Sequence, residues 1–242
     1  MKKISLIAMA AIFPVLYGCS TKGTRVYTLG TPQFVPQSSP TSVVEQGIGQ
    51  DDSPAGGIFL QWYPVPGTAG FNIYRADSVD THGSPVNFVL IGSASSADST
   101  MIDNNSVVIG PTYYYSMKAV SPDQSLSNWS DTVSIMLLAR PTLISPGLGQ
   151  SISKLGIVFT WTDNTNGGST VLRLKDIIAS KYIYVSPKAF SDYRSSPSFP
   201  YDTVTTAFDS LTSGHQYQWR IDRYNIKTDQ QAKSIWQTFT VN

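Results

Sequence analysis

The 242-residue chain holds one cysteine, one glutamate and two histidines, and each scarcity closes off a chemistry. Cys19 alone allows no intrachain disulfide and no thiol-rich metal site. Glu45 is the only glutamate, and the aspartates are scattered through turn-like segments. The paired carboxylates that glycosidases use therefore find no preferred partners. His82 and His215 each stand beside a glycine, as solvated turn histidines do. There is no H-E-x-x-H, no G-x-S-x-G elbow and no Gly-rich phosphate loop. Asp163 to Gly168 lacks the alternating oxygen ligands and closing glutamate of a calcium loop, and reads as a turn. Basic residues number 17 against 16 acidic ones, so no positive field exists for nucleic acid. No apolar run reaches the roughly 20 residues of a membrane-spanning helix. The expectation is a protein with no catalytic set, no metal and no bound cofactor.

What is present begins at the N-terminus. Lys2 and Lys3 precede an apolar run from Ile4 to Leu16, followed by Leu16-Tyr17-Gly18-Cys19. The stretch resembles the signal and lipobox of bacterial lipoproteins: Leu three before the cysteine, a small residue just ahead of it, and Cys as the first mature residue. Tyr17 departs from the pattern, because that slot usually holds a smaller side chain. The resemblance implies residues 1–18 as a cleaved signal peptide and Cys19 as the lipidated residue. It implies acyl chains such as palmitate, each buried CH₂ contributing about 0.8 kcal/mol to membrane anchoring. Without Lys2 and Lys3 the mature chain has 15 basic residues against 16 acidic. Residues 19–40 are rich in Ser, Thr, Pro and Gln and read as a flexible tether, with Val26 to Leu29 an alternative first strand.

Beyond the tether the pattern is that of strands. Asp far outnumbers Glu, and Gly, Pro, Ser, Thr and Tyr are plentiful, which favours turns and strands over helix interiors. Ile58, Leu60 and Trp62 alternate along a first clear strand. Phe71 to Arg75, Phe88 to Ile91, Thr100 to Asp103, Val107 to Gly110, Tyr113 to Val120 and Thr132 to Leu138 follow, separated by turn signals. The series then repeats. Val158 to Trp161 matches Phe59 to Trp62. Val171 to Leu174, Tyr182 to Val185, Thr203 to Phe208, Leu211 to Ile221 and Trp236 to Val241 complete it.

Two features recur one domain length apart. A tryptophan ends the second strand of each repeat, Trp62 and Trp161. A hydrophobic residue is followed by Gly three on and Tyr three further: Val107, Gly110, Tyr113 and again Leu211, Gly214, Tyr217. With the Gly70-Phe-Asn-Ile-Tyr-Arg75 strand, they resemble fibronectin type III domains. The resemblance implies an all-β chain of two tandem immunoglobulin-like sandwiches, residues 41–138 and 139–242, following the signal peptide and tether. It makes Trp62, Tyr113, Trp161 and Tyr217 structural residues, the tyrosines standing where a tyrosine corner would be. Arg140-Pro141 makes the linker short and stiff.

The second repeat departs in its middle, where Ser186 to Pro200 is long and aromatic. Phe190, Tyr193, Phe199 and Tyr201 there are candidate ligand contacts, although packing against the sandwich edge is the expectation favoured for them. The function expected is that of a membrane-anchored envelope lipoprotein, a non-enzymatic protein-binding or scaffolding module. The alternative is a carbohydrate-binding surface built on the aromatic stretch. Ser20 lacks the acidic character linked to inner-membrane retention of some bacterial lipoproteins, which inclines the expectation to the outer membrane. Replacing Cys19 by Ala should leave an uncleaved precursor without lipid. Labelling cells with a radioactive fatty acid reads this out, and equal label in wild type and C19A would end the lipoprotein expectation.

Overall fold

A computed structural model describes residues 28–154, 157–162, 169–186, 190–191, 198–200, 211–225 and 230–242. Cys19 and the signal peptide lie outside the described residues. Every regular element among the described residues is a β-strand. The first module contains β1 (Gly49–Gln50), β2 (Ile58–Gln61), β3 (Gly70–Ala76), β4 (Ser78–Val79), β5 (Pro85–Val86), β6 (Val89–Ser95), β7 (Thr100–Asp103), β8 (Thr112–Val120) and β9 (Val133–Leu137). The second contains β10 (Thr142–Ser145), β11 (Gln150–Ile152), β12 (Val158–Thr162), β13 (Ser169–Asp176), β14 (Lys181–Val185), β15 (Phe190–Ser191), β16 (Ser198–Pro200), β17 (Gln216–Asn225), β18 (Gln230–Lys233) and β19 (Gln237–Val241).

In the first module β1-β2-β7 faces a second sheet in the order β9-β8-β3-β6. Period-two alternation explains the core between them. Ile58 and Leu60 from one sheet meet Phe71, Ile73, Tyr115 and Met117 from the other, all fully buried. Trp62 closes the layer, its ring centroid 5.6 Å from that of Phe71 and its Nε1 donating to the Asp98 carbonyl at 3.1 Å. The second module repeats the plan with β10-β12-β16 against a sheet centred on β13 and β17. Phe159, Trp161, Leu172, Leu174, Trp219, Ile221 and Phe239 fill its core.

The Gly-x-x-Tyr repeats have a local physical cause. Gly110 and Gly214 sit at φ of +107° and +81°, a region open to glycine and strained for other residues. They turn the chain into β8 and β17, one residue-pair before the tyrosine. The Tyr113 hydroxyl then accepts from the Val108 amide at 2.9 Å, and the Tyr217 hydroxyl from the Thr212 amide at 2.7 Å. Both bonds span five residues and pin the loop to the strand that follows. Val107 to Gly110, expected as a strand, is this loop instead: the hydroxyl takes a backbone amide that a sheet ladder would otherwise use.

The tether is shorter than its composition suggests. Gln33 to Val35 lie along β2, with Phe34 bridged to Trp62, Val35 donating to the Gln61 carbonyl at 2.9 Å and Gln33 accepting from Tyr63 at 3.0 Å. Val35 is buried, and Leu29 packs against the first core. Since β7 holds one edge of β2, Gln33 to Val35 and β1 share the other. They form one first strand interrupted by an excursion from Pro36 to Ile48. That excursion closes at its base, where Ser38 donates to the Gln46 carbonyl at 3.1 Å and Gln46 to the Ser38 hydroxyl at 3.1 Å.

The long aromatic connection of the second module is also partly strand. β15 pairs with the start of β13, and β16 pairs with β12 on the edge opposite β10. β16 therefore takes the place that β7 takes beside β2. The Thr203 to Phe208 strand and the Asp163 to Gly168 turn lie outside the described residues.

Replacing Tyr113 or Tyr217 by Phe should each lower stability by about 1–2 kcal/mol, through the lost bond and a loop amide left without its partner. Denaturant melts of the whole soluble chain measure this. Unchanged midpoints in both variants would contradict the role given to the hydroxyls.

Candidate functional site: a buried module junction and an open sheet edge

The two modules share one continuous sheet. β9 pairs in parallel with β18 (Gln230 opposite Met136, Gln231 opposite Leu137), and the Leu138 amide donates to the Gln231 carbonyl at 2.7 Å. Eleven strands belong to this sheet. Backbone pairing alone is a narrow seam. The seam is reinforced by the Pro36 to Ile48 excursion and the loop after β1, which lie against the outer face of the second module.

Period-two alternation alone would leave that face to solvent. Along β17, Tyr217, Trp219 and Ile221 point into the core, so Arg220 and Asp222 point away from it. Yet Arg220 is 1% exposed and Asp222 4%. The Arg220 guanidinium meets three carboxylates: Asp222 on its own strand, at 2.7 Å from Nε, and Glu45 and Asp52 from the first module. Arg173, 2% exposed, donates from Nε to Asp222 at 2.5 Å and from its terminal nitrogens to the carbonyls of Ser42 and Pro40, each at 2.7 Å. Lys233 reaches Glu45 at 2.8 Å. Trp236 supports the cluster from one side. Its ring lies 4.6 Å from the Arg220 guanidinium carbon, and its Nε1 donates to Asp52 at 2.8 Å. Arg140 in the linker ties down the loop after β1 by donating to the carbonyls of Asp51 at 2.7 Å and Ser53 at 3.1 Å.

Removing Asp222 would cost about 3–5 kcal/mol, because the buried Arg173 and Arg220 would lose the carboxylate they share. Burial by itself would raise the Glu45 carboxyl. The Arg220 guanidinium, then Lys233 and Arg173, outweigh it and hold the group at about 2, below its ordinary 4.5. Burial likewise works against the Arg220 charge, but Asp222, Glu45 and Asp52 raise its pKa above the usual value. The lone glutamate of the chain is thus a bridge between modules. The sequence signal that could have found it is the Arg220-Ile-Asp222 alternation: opposite charges two apart on one strand face, next to a large apolar residue on the other.

A second feature is the edge of the first module. Among the described residues β6 pairs with β3 alone, leaving its outer edge open. The strand reads Val-Leu-Ile-Gly-Ser-Ala-Ser, without charge or proline. Val89 is 64% exposed and Leu90 50%. Next to it stands an aromatic group. Trp129 is 45% exposed, with Tyr74 edge-on at 4.7 Å, Phe88 at 5.9 Å, and the Lys118 ammonium 4.3 Å above its ring. Trp129 covers the outer face of β3 and β8.

The candidate residues of the aromatic connection are not brought onto one element. The backbone of Phe190 belongs to the shared sheet and that of Phe199 to the β10-β12-β16 sheet. Tyr193 and Tyr201 lie outside the described residues. Trp62, Tyr113, Trp161 and Tyr217 are buried in the two cores. His82 is exposed in a turn closed by Asp80, and His215 pairs with Asp176 at 2.8 Å. Among the described residues no group of three His, Cys, Asp or Glu side chains could hold a metal ion, and no helix is long and apolar enough to cross a membrane.

The strand orders decide the architecture: a sheet built on β2 faces one built on β3 and β8 in the first module, and a sheet built on β12 faces one built on β13 and β17 in the second. The chain folds as two fibronectin type III-like sandwiches in tandem. No protein-family model matches the sequence, and comparison with curated proteins gives no match. Among solved structures, a Fn3-like protein from Clostridium thermocellum is similar at 18% identity and a TM-score of 0.32, over 46% of this chain and 95% of that one. The FN1-FN3 domains of chicken CNTN1 are similar at 12% identity and a TM-score of 0.34, over 88% of this chain and 69% of that one. Likeness at this level carries no function, and the fibronectin type III-like fold rests on the strand order.

The Glu45 carboxyl gives the junction a pH signature. Its folded pKa lies below its unfolded value, so its stabilisation is present above about pH 4.5 and lost as pH falls towards 2. The loss is on the order of 3 kcal/mol. Thermal melts should show wild type losing stability across that window more steeply than Glu45→Gln, which is already destabilised at neutral pH. Parallel pH profiles for the two proteins would contradict the assignment.

Proposed function

We propose that this chain is a lipid-anchored bacterial envelope protein whose two joined modules form a non-enzymatic binding or scaffolding unit. The lipid on Cys19 attaches it to the membrane, the outer membrane being preferred, and a short leader spaces the modules from the bilayer. The observation that supports the binding role is the β6 edge. Sheets usually blunt such an edge with charge, proline or a covering loop. Here seven residues of open, uncharged strand end in two exposed aliphatic side chains beside an aromatic shelf. An extended segment of a protein partner adding to β6 would gain main-chain hydrogen bonds and place alternate side chains on Leu90, Phe88 and Trp129. The shelf supplies the apolar anchor that binding hot spots favour.

A photo-cross-linking residue at position 93, exposed on the same strand, in cells carrying the full lipidated protein, should capture a defined envelope protein. The pair of substitutions Val89→Lys and Leu90→Lys should leave stability within about 0.5 kcal/mol, since both side chains are exposed. It should weaken the captured interaction at least tenfold, about 1.4 kcal/mol. Capture that persists undiminished in the double variant, or no capture at all from position 93, would sink the reading.

A further inference from the structure

Behind the charge cluster the modules do not meet completely. A cleft of about 320 Å³ opens between the Pro36 to Ile48 excursion and the ends of β17 and β18. It continues into a second chamber of about 320 Å³. The two share Gln37, Ser38, Ser39, Pro40, Tyr224 and Gln231. Among the described residues the second chamber adds Asn225 and Gln230, and with the shared residues these contribute amides and hydroxyls and no charge. This volume falls in the range of small-molecule sites, which occur preferentially where domains meet.

One buried group marks the cleft as a place for a ligand. Tyr224 is 8% exposed, borders both chambers, and its hydroxyl is buried with no hydrogen-bond partner among the described residues. Buried hydroxyls are nearly always satisfied, and an orphan costs about 1–3 kcal/mol. The side chain is not there for packing alone, because phenylalanine would fill the same space without that cost. The hydroxyl is directed by its environment too: burial, and then the Asp222 charge, raise its pKa, so it stays a neutral donor.

The charges at the first chamber are already engaged. Arg173 is bound to Asp222 and to two carbonyls, Lys233 to Glu45, and Arg223 has interactions of its own. An ionic ligand would have to break one of these pairs. A neutral ligand rich in hydroxyls would not, and it would find what such a molecule needs: a tyrosine hydroxyl, glutamine amides that both donate and accept, and serine hydroxyls. Phe59 also lines the first chamber.

The geometry points to a saccharide site in this cleft, one that takes a short neutral glycan and hydrogen-bonds it through Tyr224 and Gln231. The site shares no residue with the β6 edge, so it stands or falls independently of the protein-binding role. Because a glycan would touch the first module's excursion and the second module's sheet together, binding would also tighten the junction.

The test uses the soluble chain beginning after Cys19, with neutral oligosaccharides of two to four hexose units, plain and N-acetylated, as probes in calorimetric titration. At least one should bind with a dissociation constant below about 1 mM. Tyr224→Phe should weaken that binding about tenfold while leaving the melting temperature of the free protein unchanged or higher, because the orphan hydroxyl is gone. Gln231→Ala should weaken it as well, and a sulfated oligosaccharide should bind less well than its neutral counterpart. The inference is overturned if no neutral oligosaccharide binds, or if a neutral serine–alanine pentapeptide occupies the cleft and the sugars do not. It is equally overturned if Tyr224→Phe lowers the melting temperature and leaves sugar binding as it was.

Discussion

A guanidinium buried to 1% exposure sits where the two modules meet, and the arrangement of the two modules follows from the need to neutralise it. Arg220 cannot lose its proton, and an unpaired charge at that depth is not tolerated. One carboxylate, Asp222, comes from the same strand, but Asp222 also serves Arg173. The remaining compensation comes from Glu45 and Asp52 on the first module. The second module therefore carries, on a sheet face, a site that only the first module completes. This turns a short linker and a two-residue strand pairing into a defined junction.

The interruption of the first strand makes this arrangement reachable. Gln33 to Val35 and β1 hold the same edge of β2, and the residues between them are released to cross to the neighbouring module. The same excursion closes the charge cluster on one side and walls the cleft on the other. Ser42 and Pro40 present carbonyls to Arg173, while Gln37, Ser38 and Ser39 line the chambers. Structure and candidate site are thus made by one stretch of chain. The outer edge of the first module, β6, lies at the far end of the sheet order from this junction and remains open.

Much of the fold could be read in the sequence, for a specific reason. The strand cores follow period-two alternation, so Tyr113-Tyr115-Met117 and Tyr217-Trp219-Ile221 announce which face is buried. The Gly-x-x-Tyr spacing is a local geometry, a positive φ followed by a hydroxyl within reach of an amide five residues back, and local geometries leave their mark on adjacent residues. The junction left a fainter mark, the opposite charges of Arg220 and Asp222 two apart on one strand face. Composition made residues 19–40 a tether, because Ser, Pro and Gln cannot form a core, but Phe34 and Val35 need only one strand edge to pack. Arg220 and Asp222 look like a solvated face until a partner 168 residues away in sequence covers them. Contacts of that kind depend on how two folded units meet, which no periodicity encodes. The aromatic connection shows the opposite error: Phe190 and Phe199, near each other in sequence, belong to opposite sheets.

The central claim is that the Glu45–Asp52–Arg220 contacts hold the modules at one angle. Spin labels placed at Ser96 and Ser151, both exposed and one in each module, report the distance between modules directly. Pulsed electron resonance on the soluble chain at neutral pH should give a single narrow distance distribution. The double variant Glu45→Gln with Asp52→Asn, which leaves both modules' cores intact, should give a broad one. A native protein whose distribution is already as broad as that of the double variant would contradict the account.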